Sequence, residues 1–177
     1  MSDIAAATLL ADDDIYLNPG DLWFGGGHMR LRTVLGSCVS VTLWHPRRHV
    51  GGMCHFMLPV RGGPRNAEPL SGKYADEAFR LFDAKIAIAR TQPSEYRAKV
   101  FGGGNMFPKN CCGAQANVGL RNVEKAFELL AARDIDVVVE HVGGAGHRKV
   151  MFDVWSGDAW LNFQDIGDDE RGARWGA

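Results

Sequence analysis

Two neighbouring β-strands are the clearest elements in the pattern of apolar and polar positions. Val39, Val41 and Leu43 alternate with polar residues, which is the period of a half-buried strand. A Pro-Arg-Arg segment interrupts the alternation, and a second apolar strand, which contains two glycines, follows over residues 50–58. Because the break between the two strands is short, the pattern predicts a β-hairpin.

Helical spacing of apolar residues predicts two main helices, the first over residues 73–90 and the second over 122–132. Further strands are predicted at 98–101, 135–142 and 149–154, and the β-branched residues of 135–142 favour a buried position. Strands that pair as hairpins and are interleaved with helices indicate an α/β fold. We expect a single layered domain with a mixed, largely antiparallel sheet and two main helices.

The two ends of the chain differ in composition from its middle. Residues 1–14 are small, acidic and unpatterned, which predicts a loose N-terminal arm. Residues 165–177 form a charged C-terminal tail. The alternating and helical patterns lie between these ends, so the folded domain is expected to span 15–164.

Composition and charge exclude several classes of protein. The chain has 177 residues, enough for one domain with its own core, and a formal net charge of −1. With so little net charge, we expect no binding to nucleic acid. No apolar run approaches the roughly 18–20 residues that span a bilayer, and the N-terminus does not resemble a secretory signal. We therefore expect no membrane insertion and a cytoplasmic location.

The cysteines give no sign of a metal or disulfide framework. There are four of them, Cys38, Cys54, Cys111 and Cys112. In a reducing compartment they are expected to be free thiols. No C-x2-C spacing is present among them, and no other cofactor motif stands out, so we expect neither a metal site nor an organic cofactor.

Cys38 and His55 are the most specific candidate site in the hairpin. If the turn is centred just after Pro46, antiparallel pairing places Val41 opposite Gly52 and Cys38 directly opposite His55. Directly opposed residues have Cβ atoms about 4.5–5.5 Å apart, so a thiol can reach an imidazole. Alternation places this pair on one face of the hairpin and the apolar residues on the other, which is expected to face the core.

This pair has a recognised chemical use. An imidazole can take the proton of a neighbouring thiol and hold the thiolate as an ion pair, which then attacks carbonyl carbons. Gly36 and Ser37 precede the cysteine, and a turn of small residues there would admit a substrate and direct N–H groups at an oxyanion. An alternative remains open, in which Cys38 is a small buried hydrophobe and His55 is a core histidine with its hydrogen bonds satisfied.

Six short motifs follow one another along the chain. They are LGSCV at 35–39, GGMCHFMLP at 51–59, KYAD at 73–76, FGGGNMF at 101–107, NVGLRNV at 117–123, and GG at 143–144 followed by RKV at 148–150. In this order they resemble the CheD family of chemoreceptor glutamine deamidases. Several spaced motifs in one order are a more specific signal than any single motif.

The resemblance implies a fold and an activity. The family fold is a layered α/β domain whose active site is related to that of bacterial toxin deamidases. Cys38 would attack a glutamine carboxamide on the cytoplasmic helices of a chemotaxis receptor and form a thioester, with His55 as its base, and water would then hydrolyse the thioester to glutamate. Weak methylesterase activity and a CheC-type phosphatase as partner are further expectations, and no cofactor is implied.

The third catalytic position is left open by the motifs. In some family members a threonine that is thought to orient the histidine stands where this chain has Arg32, and Thr33 follows it. Thr33 is therefore the candidate for that role, acting from a strand shifted by one residue. If neither residue reaches His55, the role is absent.

The candidate substrate-binding residues lie in two glycine-rich segments. Gly36 and Ser37 precede the nucleophile, and Gly103, Gly104 and Asn105 follow a predicted strand. The second segment lacks the Lys-Ser/Thr pair of a P-loop, so it is expected to be a turn near the active site.

Polar residues at the start of the second helix have two interpretations. Gln115, Asn117, Arg121 and Asn122 could line the substrate cleft, whereas Asn117 could equally cap the helix. Two other classes of protein also stay open. One is a non-catalytic adaptor that binds receptors or a CheC-type phosphatase, and the other is a different cysteine amidase or thioesterase on the same scaffold.

Overall fold

The computed structural model describes residues 13–62, 69–106 and 118–166, which form nine β-strands and two α-helices. The strands are β1 (Asp13–Tyr16), β2 (Leu22–Gly26), β3 (Met29–Leu35), β4 (Val39–His45), β5 (Val50–Phe56), β6 (Arg97–Gly102), β7 (Asp136–Val142), β8 (Gly146–Asp153) and β9 (Ala159–Asp165). The helices are α1 (Ala75–Ile88) and α2 (Val118–Ala131), and a short 3-10 helix at Pro93–Glu95 leads into β6.

The strands are divided between two sheets. One sheet has four strands in the order β1-β3-β8-β9, and the other has five in the order β2-β5-β4-β6-β7. Among the strand pairs of the described ranges, β1 with β3 and β6 with β7 are parallel, and the others are antiparallel. The predicted α/β class with mixed, largely antiparallel strands and two main helices is confirmed. The strands form two sheets where one was expected.

The core lies on both faces of the five-stranded sheet. On one face, apolar residues of β4 and β5 pack against the two helices, and the cluster includes Val39, Val41, Leu43, Cys54, Phe56, Phe79, Phe82, Ala126 and Leu130. On the other face, the two sheets meet, and that cluster includes Leu31, Leu35, Met53, Phe101, Val150 and Phe152. Because successive side chains of a strand point to opposite faces, the alternation in the hairpin sets which residues meet the helices. The predicted core face of the hairpin is confirmed.

The register of the hairpin differs from the prediction. His45 pairs with Val50, so the turn between β4 and β5 is wider than expected, and Ser40 lies opposite His55. The prediction that Cys38 lies directly opposite His55 is therefore wrong by two residues. An even shift keeps every side chain on its predicted face, so Cys38 and His55 still share one side of the sheet.

The side chain of His45 explains the wider turn. Its Nδ1 atom accepts hydrogen bonds from the backbone N–H groups of Arg47 and Arg48, each at 3.3 Å. The N–H of His49 donates to the His45 carbonyl oxygen at 2.9 Å, and His49 takes a left-handed backbone conformation with φ of 51°. These contacts satisfy the polar groups of a four-residue turn, which the alternation of the strands does not reveal.

The strand predicted at 135–142 is present as β7, but it is not buried. Val138 and Val139 are 47% and 44% exposed. Within the described residues, β7 pairs with β6 alone, at the edge of the five-stranded sheet. Its β-branched residues therefore reflect strand propensity and not burial. The sequence pattern also misses β9, the outer strand of the four-stranded sheet.

Both predicted helices are present, although α2 begins at Val118, before the predicted start. At the ends of the domain, β1 begins at Asp13, inside the predicted N-terminal arm, and β9 ends at Asp165, where the charged tail was expected to begin. The rest of both segments lies outside the described residues, so the domain limits stay a prediction. No helix in the described ranges is long and apolar enough to cross a bilayer.

Candidate active site

His55 lies between the two sheets, where it contacts a threonine of the opposite sheet. The Oγ1 atom of Thr33, on β3, lies 2.8 Å from His55 Nδ1 and 2.8 Å from the carbonyl oxygen of Leu17. A hydroxyl has a single proton, and a carbonyl oxygen can only accept, so Thr33 donates to Leu17 and accepts from Nδ1–H. The hydrogen bonds therefore fix the neutral imidazole as the Nδ1–H tautomer, with a lone pair on Nε2.

The Nε2 atom of His55 is the ring nitrogen that carries the lone pair. It is buried and has no hydrogen-bond partner among the described residues. Burial lowers the pKa of His55, and the nearby carbonyl of Leu17 and the charge of Asp21 oppose this effect in part. At neutral pH the imidazole is therefore neutral, and its free lone pair can accept a proton.

Cys38 lies immediately before β4, on the same side of the sheet as His55. Two residues separate it from Ser40, the partner of His55 in the register, so Cys38 is the diagonal neighbour of the histidine. Diagonal neighbours lie about 7–8 Å apart, a separation that an aromatic side chain such as imidazole can span. The structure thus brings Cys38, His55 and Thr33 to one region between the sheets.

Burial also affects the thiol. Cys38 is half-buried against the cluster between the sheets, and this burial raises its pKa, while its own backbone N–H acts in the opposite direction. For both Cys38 and His55, burial thus favours the uncharged form.

The glycine loop after β6 holds the segment around Cys38 in place. The N–H of Gly103 donates to the Cys38 carbonyl, and the N–H of Gly104 donates to the Gly36 carbonyl, each at 2.8 Å. Gly102 has φ of +113°, and a Cβ atom there would lie 2.2 Å from the Cys38 carbonyl oxygen. The N–H groups of Gly103 and Gly104 are therefore engaged within the protein, and the glycines allow the loop to approach the backbone of Cys38 closely.

Asn122, on α2, connects the segment before Cys38 to the residue that follows β5. It is fully buried, and its Nδ2 atom donates to the carbonyl oxygens of Ser37 at 3.2 Å and Met57 at 2.8 Å. The interpretation that Asn122 could line the substrate cleft does not fit its position, because the buried side chain lies between two backbone segments. Its signal in the sequence is a polar residue on the otherwise apolar stripe of the second helix.

The remaining candidate residues from the sequence include Arg32, Asn105 and Asn117. Arg32 is exposed and pairs with Asp14 at 2.7 Å, so Thr33 and not Arg32 contacts the histidine. The N–H of Asn105 donates to the Gly144 carbonyl at 2.7 Å, which joins the glycine loop to the turn before β8. Gln115 and Asn117 lie outside the described residues. Within the described ranges, no three His, Cys, Asp or Glu side chains are grouped to hold a metal ion.

Comparisons with known proteins agree with one another. Residues 57–163 match a family model described as CheD chemotactic sensory transduction. The chain is 53% identical over 157 residues to the probable chemoreceptor glutamine deamidase CheD 3 of Dechloromonas aromatica, an alignment that covers 89% of this chain and 91% of that protein. It is 41% identical over 162 residues to the probable chemoreceptor glutamine deamidase CheD of Pseudomonas syringae pv. tomato, covering 91% and 95%.

A third relative aligns with this chain over a similar length. The probable chemoreceptor glutamine deamidase CheD 2 of Albidiferax ferrireducens is 44% identical over 157 residues, which cover 88% of this chain and 91% of that protein. The similarity to these relatives therefore extends over most of the chain. The family model begins two residues after His55, so the pairwise alignments carry the comparison through the first strands.

Proposed function

Because the chain belongs to the CheD family, we propose that it is a chemoreceptor glutamine deamidase with Cys38 as nucleophile and His55 as base. The observation that carries the proposal is the hydrogen bond between Thr33 and His55 Nδ1. This bond leaves the Nε2 lone pair on the side of the sheet where the Cys38 thiol lies. Such an arrangement supports a thiol nucleophile with an oriented base.

The first half of the proposed reaction forms a thioester. As the sulfur of Cys38 bonds to the carboxamide carbon of a glutamine, its proton moves to His55 Nε2. The tetrahedral intermediate then collapses, His55 gives that proton to the leaving nitrogen, and the C–N bond breaks to release ammonia. Thr33 keeps the imidazole in one orientation through both transfers.

The second half removes the acyl group from the enzyme. Water attacks the thioester carbon while His55 Nε2 takes a proton from it, and the C–S bond breaks as the proton returns to sulfur. The product is a glutamate side chain. A glutamyl methyl ester presents the same acyl group with methanol as the leaving group, so weak methylesterase activity belongs to the same proposal.

One backbone group is suited to stabilise the oxyanion. The N–H of Cys38 lies against its own sulfur, where it lowers the pKa of the thiol. A donor at that position is close to the carbonyl oxygen of a substrate attacked by the sulfur. Gly103 and Gly104, in contrast, already donate to carbonyl oxygens of the protein and would act by shaping the site.

The proposed substrate is a glutamine on the cytoplasmic helices of a chemotaxis receptor. The names of the relatives support it, and so do exposed apolar side chains that follow His55, since Met57, Leu58 and Val60 are each at least 38% exposed. Large exposed apolar side chains suit a macromolecular partner. A cytoplasmic location and a CheC-type phosphatase as second partner belong to this proposal.

The test compares Cys38→Ala with a second cysteine variant. A cytoplasmic receptor fragment is incubated with each protein, and mass spectrometry follows the conversion of glutamine to glutamate. Cys38→Ala is expected to abolish conversion. Cys54→Ala is the matched control, because burial raises the pKa of Cys54 to about 12 and leaves it unreactive. Conversion at equal rates by wild type and Cys38→Ala, or by neither, would remove the deamidase proposal.

A non-catalytic adaptor is tested in the same experiment. It would bind the receptor fragment equally well as wild type and as Cys38→Ala, and it would convert no glutamine in either form. Binding without turnover in the wild-type protein would therefore identify an adaptor. Turnover that depends on Cys38 would exclude it.

A further inference from the structure

Two buried hydroxyl groups on β4 have no hydrogen-bond partner among the described residues. They belong to Ser40 and Thr42, whose side chains are 0% and 1% exposed. Both lie on the side of the five-stranded sheet that faces the four-stranded sheet, two residues apart on one strand. Burying a hydroxyl without a hydrogen bond is unfavourable, so such a group requires an explanation.

Their positions relative to the catalytic histidine differ. Ser40 is the direct cross-strand partner of His55, whereas Thr42 pairs with Met53. Directly opposed side chains have Cβ atoms about 4.5–5.5 Å apart, so a rotation of the serine side chain brings its oxygen toward the imidazole. Ser40 also lies between Cys38 and Thr42 on the same face, next to the proposed nucleophile.

The protonated histidine needs an acceptor that the neutral histidine does not. In the neutral ring, Nδ1–H is bonded to Thr33, and Nε2 carries only a lone pair. Once Nε2 receives a proton, the ring is an imidazolium with two N–H donors in a buried site. A buried charged donor without an acceptor is strongly disfavoured, and the proton would then return to sulfur.

We propose that Ser40 is a positioning residue whose Oγ atom accepts a hydrogen bond from Nε2–H of His55 after proton transfer. The inference rests on the proposed role of His55 as base. The proton moves from Cys38 Sγ to His55 Nε2 as the C–S bond forms, and it later moves to the leaving nitrogen. The hydroxyl of Ser40 stabilises the imidazolium in the interval, and it is left without a partner when the ring is neutral.

The charged groups near His55 are the same in every variant that tests this inference. Asp21 is the carboxylate whose charge acts on His55, and it lies on the segment that bonds to the backbone of β5. Thr33 and the Leu17 carbonyl, which contact the Nδ1 side of the ring, are neutral, and the Cys38 thiol is a titratable group on the same side of the sheet. A change in the titration of His55 can therefore be assigned to the hydroxyl that is removed.

The experiment is an NMR titration of the His55 ring in the free full-length protein. Ser40→Ala is expected to move the midpoint to lower pH by about one pH unit, a tenfold loss of proton affinity, because a hydrogen bond to a charged group is lost. Thr42→Val removes the matched hydroxyl on the same strand and is expected to leave the midpoint unchanged. Ser40→Thr keeps the hydroxyl and is expected to titrate as the wild type does.

Turnover gives a second measurement. Ser40→Ala is expected to lower kcat about tenfold with KM unchanged, and Thr42→Val to leave both unchanged. An unshifted midpoint in Ser40→Ala, or an equal shift in Thr42→Val, would overturn the inference. Because the titration needs no substrate, a shifted midpoint in a protein that converts no glutamine would support the hydrogen bond and reject the proposed function separately.

Discussion

Replacing Thr33 by valine tests how the proposed base is oriented. The change keeps the shape of the side chain and removes the hydroxyl, which lies 2.8 Å from both His55 Nδ1 and the Leu17 carbonyl oxygen. A buried donor or acceptor without its partner costs about 1–3 kcal/mol. Because Leu17 O also lies 3.5 Å from His55 Nδ1, the two orphaned groups can pair in part. We therefore expect a total loss of about 1–3 kcal/mol in the free energy of unfolding.

A similar loss is expected in the transition state. Without a fixed acceptor for Nδ1–H, the imidazole can rotate or carry its proton on Nε2, and either change takes the lone pair away from the thiol. A loss of about 1–3 kcal/mol in transition-state stabilisation lowers kcat by about 5- to 150-fold. KM is expected to stay unchanged, because the Thr33 hydroxyl is buried against His55 and has no part in substrate binding.

Deamidation of a receptor cytoplasmic fragment, followed over time by mass spectrometry, measures the effect. Thr33→Ser retains the hydroxyl and is expected to keep most of the rate. Arg32→Ala removes only an exposed ion pair with Asp14, so both rate and stability should be close to those of the wild type. A wild-type kcat in Thr33→Val, or a larger loss in Arg32→Ala than in Thr33→Val, would refute the reasoning.

Two further predictions follow from the same site. Asn122→Leu leaves two buried carbonyl oxygens without their donor, so the free energy of unfolding measured with denaturant should fall by about 1–3 kcal/mol, and turnover should fall as well. Glu124→Ala, on the exposed face of the same helix, is the control and should change neither quantity. Equal effects in both variants would contradict the bridging role of Asn122. Burial lowers the pKa of His55 and raises that of Cys38, so the active neutral pair should persist between the two values. The acid limb of the pH profile of kcat/KM should therefore lie below the ordinary histidine pKa of 6.5. The rate of alkylation of Cys38 should keep rising above pH 9.0. A plateau of that rate at neutral pH would show an ion pair instead.

Local patterns in the sequence were sufficient to predict which residues of each strand share a face of the hairpin. Alternation has a period of two residues, so it separates Val39, Val41 and Leu43 from Cys38 within one strand, and the assumption of a turn with an even number of residues places His55 on the side of Cys38. The register was not determined in this way. It depends on how many residues the turn contains, and the side chain of His45 stabilises a wider turn than the alternation suggests.

The two helices and the chemical types of the candidate residues could also be predicted from the chain alone. The exposure of β7 could not, because β-branched residues favour strands at the edge of a sheet as well as at its centre. The role of Asn122 was also hidden, since the pattern shows a polar residue on an apolar stripe but does not show which carbonyl oxygens it meets.

The sequence by itself predicted that a cysteine and a histidine share one side of a hairpin, because strand periodicity is a local property and the turn between the strands was taken to have an even number of residues. Only the tertiary structure decided which residue orients the histidine. Arg32 and Thr33 are neighbours on β3 and point to opposite faces, and only the packing of the two sheets shows that Thr33 is the residue that faces His55. A contact between sheets joins residues that are distant along the chain, so no local pattern encodes it.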